Sequence, residues 1–186
     1  MGVQLPPRAP RFWLGVPVVH SEVSLTAVKT GDAADVFAAL DHPGVGDFIG
    51  GPVADSPESM RLLIERWVAG PTLKDAQELW FNYIVRLSDG TAIGHAQATV
   101  HSSWAEVAWV LGTPWWGKGL GFETATLLLH ELVAQFSLPT VWATVHPDNV
   151  RSLRLLERLR FQEVAVTAAP VLGSYDPGDL VYSRSL

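Results

Sequence analysis

The feature that most restricts the fold is a change of hydrophobic period at Leu111. Before it, residues 79–111 run as short stretches rich in valine, isoleucine and aromatic side chains, divided by Asp89-Gly90 and His101-Ser102-Ser103. Such stretches predict three strands of an antiparallel meander at 79–87, 92–100 and 105–111. After it, the pattern predicts helix, strand, helix and strand at 119–136, 141–145, 149–159 and 161–168, with a last strand at 181–184. Phe122, Ala125, Leu129, Leu132, Val133 and Phe136 fall on one face of the first of these helices. A meander that passes into alternating helix and strand buries its apolar faces as a mixed sheet with helices laid on it, an α/β architecture.

Upstream, residues 23–29 alternate as a strand, Gly31-Asp32 breaks it, and 33–40 have helical spacing. Ser56-Pro57-Glu58 opens a second helix with Met60, Leu63, Ile64 and Trp67 on one side, and Gly70-Pro71 stops it. With 186 residues, 48% of them hydrophobic, the chain can bury one full core. A single domain over 1–186 is expected, with 1–20 as an N-terminal extension.

Composition removes several classes of function. Cysteine is absent, which excludes disulfides, thiolate catalysis and cysteine-bound zinc. His20, His42, His95, His101 and His130 show no metal-ligand spacing, and His130-Glu131 lacks the second histidine of H-E-x-x-H, so no metal is expected. A net charge of −6 without a lysine or arginine run argues against nucleic acid as a partner. Residues 1–19 lack a long apolar core and a small-residue cleavage site and are too short to span a bilayer, so no membrane partner and a cytoplasmic location are expected.

The predicted strand ending at Leu111 runs through Gly112-Thr113-Pro114-Trp115-Trp116 into Gly117-Lys118-Gly119-Leu120-Gly121 and a helix. Glycines let backbone N–H groups close on a ligand, and a helix N-terminus adds partial positive charge, so a diphosphate would fit. A glycine turn that binds nothing is the bland alternative. Residues 112–118 also satisfy the first seven positions of a P-loop, but Gly119 stands where a hydroxyl must hold magnesium, and the next strand ends in Val145-His146 rather than an aspartate. The spacing G-x-G-x-x-G of a dinucleotide fold is missing.

Trp116-Gly117-Lys118-Gly119-Leu120-Gly121 resembles the [Q/R]-x-x-G-x-[G/A] signature of GNAT acetyltransferases, with an aromatic first residue as in the RimJ/RimL-like branch. Residues 148–161 resemble that branch's N-x-x-S-x-x-x-[L/Y]-E-[K/R]-x-G-F, in the right order and spacing. The resemblance implies a GNAT-like fold: a central mixed, mostly antiparallel sheet of six to seven strands flanked by about four helices. It also implies acetyl-CoA as co-substrate, a primary amine as acceptor, and direct attack in a ternary complex.

By the same resemblance, the strand edge at Trp109, Val110 and Leu111 would pair with the pantetheine arm. The backbone following Trp116, from Gly117 through Lys118, Gly119, Leu120 and Gly121 to Phe122, would cradle the pyrophosphate. Asn149 would touch the pantetheine or the sulfur side, with a helix N-cap as the alternative. Ser152 stands where this branch can protonate the departing thiolate, whereas Leu156 replaces the usual tyrosine acid and Arg160 replaces a glycine.

The base is sought at Glu106 or His146, or at water relayed by either, because both titrate near the ends of central strands. Arg151, Arg154 and Arg158 share a helical face that could meet the 3′-phosphate of CoA but reads rather as solvated surface, which leaves Lys118 as the better phosphate candidate. The acceptor is expected to be set by residues 41–56 and 170–179. A non-catalytic acyl-CoA-binding module is the second reading, and monomer or homodimer is left open.

Overall fold

The computed structural model describes residues 21–72 and 77–186. The extension expected at 1–20, His20 included, lies outside the described residues. Strand β1 (Val23–Ala27) leads into α1 (Ala33–Leu40) and α2 (Pro57–Ala69), then β2 (Leu79–Leu87), β3 (Ala92–Val100) and β4 (Trp104–Leu111). Helix α3 (Leu120–Gln135), β5 (Thr140–Val145), α4 (Val150–Arg158), β6 (Gln162–Val164) and β7 (Leu180–Ser185) complete the order.

The local chemistry of the helix ends explains where they fall. Ser56 caps α2 reciprocally with Ser59: its hydroxyl accepts the Ser59 N–H at 3.1 Å, and the Ser59 hydroxyl accepts the Ser56 N–H at 2.9 Å. Pro57 fills the first helical position, where no N–H is needed. Helix α4 ends with the Phe161 N–H on the Leu156 carbonyl at 2.9 Å and the Arg160 N–H on the Glu157 carbonyl at 2.8 Å. That closure forces Arg160 to φ 63°, the left-handed conformation that glycine takes without cost.

The strands form one seven-stranded sheet in the order β1-β2-β3-β4-β5-β7-β6, antiparallel except at β4–β5. The β4–β5 pairing holds only for Trp104↔Thr140, Ala105↔Val141 and Glu106↔Trp142. Beyond Glu106 the two strands part, while β4 keeps its pairing to β3 as far as Leu111. A wedge therefore opens in the middle of the sheet.

One expected strand is shorter than its sequence suggested. The apolar alternation of 161–168 yields only Gln162–Val164, because the chain then curls into a 3-10 turn with Ala168 N–H on the Ala165 carbonyl at 2.9 Å. At a sheet edge paired on one side only, a local turn competes well with further ladder bonds.

Alternation along the strands feeds two cores. Ala96, Ala98, Ala105, Val107, Val141 and Ala143 pack with Leu120, Leu128, Leu129, Leu132 and Leu156 from α3 and α4. On the opposite face, Ile84 and Ala92 pack with Val36, Ala39, Met60 and Ile64 from α1 and α2. Each large aliphatic side chain buried in this way contributes roughly 1.5–3 kcal/mol. Gly112 lets α1 sit directly on the end of β4, since a Cβ there would lie 2.0 Å from the Ala39 carbonyl oxygen.

Candidate functional site

A cleft of about 350 Å3 opens at the end of β4, beyond the point where β4 parts from β5. Its walls come from the end of β4 (Trp109, Val110, Leu111), the glycine turn (Trp116, Gly117, Gly119, Gly121), Phe122 of α3 and one face of α4. Val45, Phe48 and Ile49, from the segment between α1 and α2, form its lip.

The backbone edge of β4 is directed by strand geometry. Gly112 donates its N–H to the Ile93 carbonyl at 3.0 Å, on the β3 side. Successive residues of an extended chain alternate edges, so the N–H and C=O groups of Trp109 and Leu111 face the wedge. The Leu111 carbonyl there accepts the Trp116 indole N–H at 2.7 Å, which fixes that ring at the floor of the glycine turn. Trp109 lies three residues beyond the last β4–β5 pair, and its backbone groups point into the gap.

Gly117 and Gly119 have φ of 72° and 84°, conformations that side chains disfavour, and Gly119 immediately precedes α3. The N–H groups of Leu120 and Gly121 belong to the first helical turn and have no intrahelical acceptor. Phe122, by contrast, gives its N–H to the Gly119 carbonyl at 2.9 Å and reaches the cleft through its ring. Leu120 is buried in the core, and Lys118 is exposed outside the cleft lining.

The three arginines of α4 do not lie on a purely solvated face. Arg151, Arg154 and Arg158 all line the cleft. The Arg151 guanidinium sits 3.9 Å from the Trp116 ring centre and that of Arg158 3.9 Å from the Phe122 ring centre. Among the described residues none of the three pairs with a carboxylate, so their charge is available to an anion at the mouth. The sequence signal was there, in the spacing of 151, 154 and 158, but only the rings of Trp116 and Phe122 show which way the face points.

Asn149 and Ser152 line the same cleft. The Asn149 side-chain oxygen accepts the Ser152 N–H at 3.2 Å and so caps α4, and both expected roles for Asn149 are geometrically compatible. Leu156 is 2% exposed and faces the core, while Leu155 takes the cleft-facing position beside Gly121.

Glu106 lies at the point where β4 and β5 part, 7% exposed and outside the cleft lining. Its carboxylate accepts the N–H groups of Gly173 at 2.9 Å and Ser174 at 2.8 Å, and also the Ser174 hydroxyl. Thr144 of β5 shares a hydrogen bond of 2.7 Å with the same hydroxyl. The loop before β7 is thus latched across the wedge. His146, half-buried at the end of β5, accepts the Asp148 N–H on Nδ1 at 3.2 Å and lies 5.4 Å, ring to ring, from Phe48 of the lip.

A second cavity of about 260 Å3 adjoins the cleft on the α1/α2 face and shares Ile49, Trp109 and Val110 with it. His95 of β3 lines it, 5% exposed, stacked on Trp67 at 3.9 Å and 5°, with Nε2 3.2 Å from the Asn82 side-chain oxygen. Burial pushes its pKa down to about 3, so the ring is neutral at physiological pH. Sequence reasoning weighed His95 only as a metal ligand; its alternation onto the α2 face was the usable signal. Among the described residues no group of three or more potential metal ligands occurs, and no helix is long and apolar enough to cross a membrane.

Comparison with known proteins gives the same architecture. Residues 22–162 match the family described as "Acetyltransferase (GNAT) domain", and the chain belongs to that family. An "Uncharacterized N-acetyltransferase p20" of Bacillus licheniformis is 33% identical over 86 residues. That match covers 45% of this chain and 48% of the relative, about half the length of each. The solved GNAT-family acetyltransferase from Bacillus anthracis superposes with a TM-score of 0.71 at 18% identity, covering 89% of this chain and 95% of that one. RimL, a ribosomal L7/L12 alpha-N-protein acetyltransferase solved with coenzyme A, gives 0.72 at 15% identity, covering 90% and 96%. The seven-stranded mixed sheet with four flanking helices is thus a GNAT-like fold.

Proposed function

We propose that the protein transfers an acetyl group from acetyl-CoA to a primary amine by direct attack in a ternary complex, as a member of the RimJ/RimL-like branch. The observation that carries this reading is the wedge itself: an unpaired strand edge at Trp109, a glycine turn opening α3, and three unpaired arginines meet in one cleft. Pantetheine, an amide-bearing extended chain, would add to the β4 edge as a further strand. The free N–H groups at the start of α3 suit the pyrophosphate, and Arg151, Arg154 and Arg158 suit the remaining phosphate charge better than Lys118 does.

In the reaction the amine nitrogen forms a bond to the thioester carbonyl carbon and the C–S bond breaks. A wedge-facing N–H of Trp109 or Leu111 would polarise the carbonyl oxygen. The proton of the incoming ammonium leaves through Glu106 or His146, or through water relayed by either, and the thiolate takes a proton from Ser152 or from water. The acceptor is the α-amine of a protein or peptide, the class named for RimL, or a small amine. No metal takes part, and the setting is cytoplasmic.

The core-facing Leu156 favours the second reading, a non-catalytic acyl-CoA-binding module, because no tyrosine acid is in place. Acetyl-CoA-dependent release of free thiol with a panel of amines separates the two. Release that rises with one amine class supports transfer; tight acetyl-CoA binding without release for any amine supports the binding module.

A further inference from the structure

The cavity on the α1/α2 face has a chemistry of its own. Its lining includes the imidazole of His95 and the amide of Gln97, neighbours but one on β3, set among Ile49, Pro52, Val53 and the indoles of Trp67 and Trp109. It shares Trp109 and Val110 with the cleft, the residues at which the thioester carbonyl would lie.

We propose that this cavity receives the body of the acceptor and that Trp67, His95 and Gln97 select an uncharged body bearing amide or hydroxyl groups over one carrying a second cationic centre. The inference rests on the acetyl-transfer reading and specifies its acceptor.

The selection follows from how His95 is held. Its ring is clamped flat against Trp67, and the Asn82 side-chain oxygen accepts from Nε2–H. Fixing the proton on Nε2 leaves Nδ1 as a lone-pair acceptor with no partner among the described residues. Gln97 adds one acceptor and two donors. An amide group or a hydroxyl, each donor and acceptor at once, can pair with both side chains.

A second ammonium meets a different situation. It would shed its water against a neutral imidazole, a neutral amide and apolar side chains, with no carboxylate among the lining residues, and one face of the Trp67 ring is already covered by His95. Glu106, on the same sheet face two Cα pairings along from Gln97, is not among the residues lining the cavity. The acceptor's reacting nitrogen avoids the penalty because it gives up its proton before it attacks.

The test is a comparison of kcat/KM at saturating acetyl-CoA on the full chain. The probes are alanine and serine amides and short peptides with those first residues, set against 1,4-diaminobutane, spermidine and a lysine-first peptide. The uncharged set is expected to be preferred by about tenfold or more. Gln97→Glu places a carboxylate in the cavity and should move the ratio at least about tenfold toward the diamines, with the acetyl-CoA Kd as internal control. Val53→Glu does the same from the lip segment if the strand variant folds poorly. Acetyl-CoA binding with diamines preferred, or a ratio unmoved by either folded variant, overturns the selection and leaves acetyl transfer standing. Failure to bind acetyl-CoA overturns both.

Discussion

The guanidinium of Arg151 lies 3.9 Å from the centre of the Trp116 indole, joining the first turn of α4 to the glycine turn before α3. Because Trp116 also donates its indole N–H to the Leu111 carbonyl, one aromatic side chain links the end of β4, the glycine turn and α4. The cleft is built around that ring, which presents one cationic group to any anion seated on the glycines.

Replacing Arg151 with alanine should therefore weaken acetyl-CoA binding by roughly tenfold, the scale of one charge-assisted hydrogen bond. The Arg151→Ala/Arg154→Ala/Arg158→Ala triple variant should lose more and show a flatter dependence on ionic strength. Calorimetry at two salt concentrations checks both. Unchanged affinity in the triple variant would return these side chains to the solvated surface.

Arg160 holds a left-handed conformation at the end of α4. Arg160→Gly should stabilise the fold by about 1 kcal/mol and raise Tm by roughly 2–4 °C, whereas Arg160→Val should lower it. Thermal unfolding of the pair against the parent decides the matter.

His95 makes stability depend on pH. Its folded pKa, pushed down to about 3, lies below the value near 6.5 of an exposed histidine, so between these the unfolded chain binds more protons. The stability tied to neutral His95 is fully present above pH 6.5 and is lost as pH falls toward 3. At pH 4 the loss is on the order of 3 kcal/mol relative to pH 7. Denaturant titrations across that range should show the decline, and His95→Phe, which keeps a ring against Trp67, should reduce its slope.

The two base candidates are separable. His146→Ala should remove or shift the acidic limb of the kcat pH profile if the proton leaves at the end of β5. Glu106→Gln should do so if it leaves at the wedge, and it should also loosen the latch to Gly173 and Ser174, detectable as faster amide exchange at those residues. Near-normal turnover with an unchanged profile in both variants would eliminate both.

Much of this was legible in the sequence, for reasons that differ along the chain. The meander, α2 and α4 were readable because their apolar periods are strong and their ends carry Ser56-Pro57, Gly70, Asn149 and turn residues. The glycine turn was readable because positive φ at Gly117 and Gly119 demands glycine. Nothing local in β4 or β5 says that their pairing stops at Glu106 and Trp142, since divergence is a property of two strands far apart in the chain. The same holds for Glu106, whose partners Gly173 and Ser174 are 67 and 68 residues away, and for the inward face of the α4 arginines. Edge strand β6 was overread because alternation alone does not count ladder partners.

The most direct measurement is calorimetric titration of the protein with acetyl-CoA, alongside ATP with magnesium and a Gly119→Glu variant. Gly119 sits at φ 84° before α3, so glutamate there brings both backbone strain and a negative charge to the phosphate cradle. Saturable acetyl-CoA binding, absent with ATP and lost in a folded Gly119→Glu protein, is the predicted result. No acetyl-CoA binding by the folded parent, or undiminished binding by the variant, would contradict the assignment of the wedge and its glycine turn as the cofactor site.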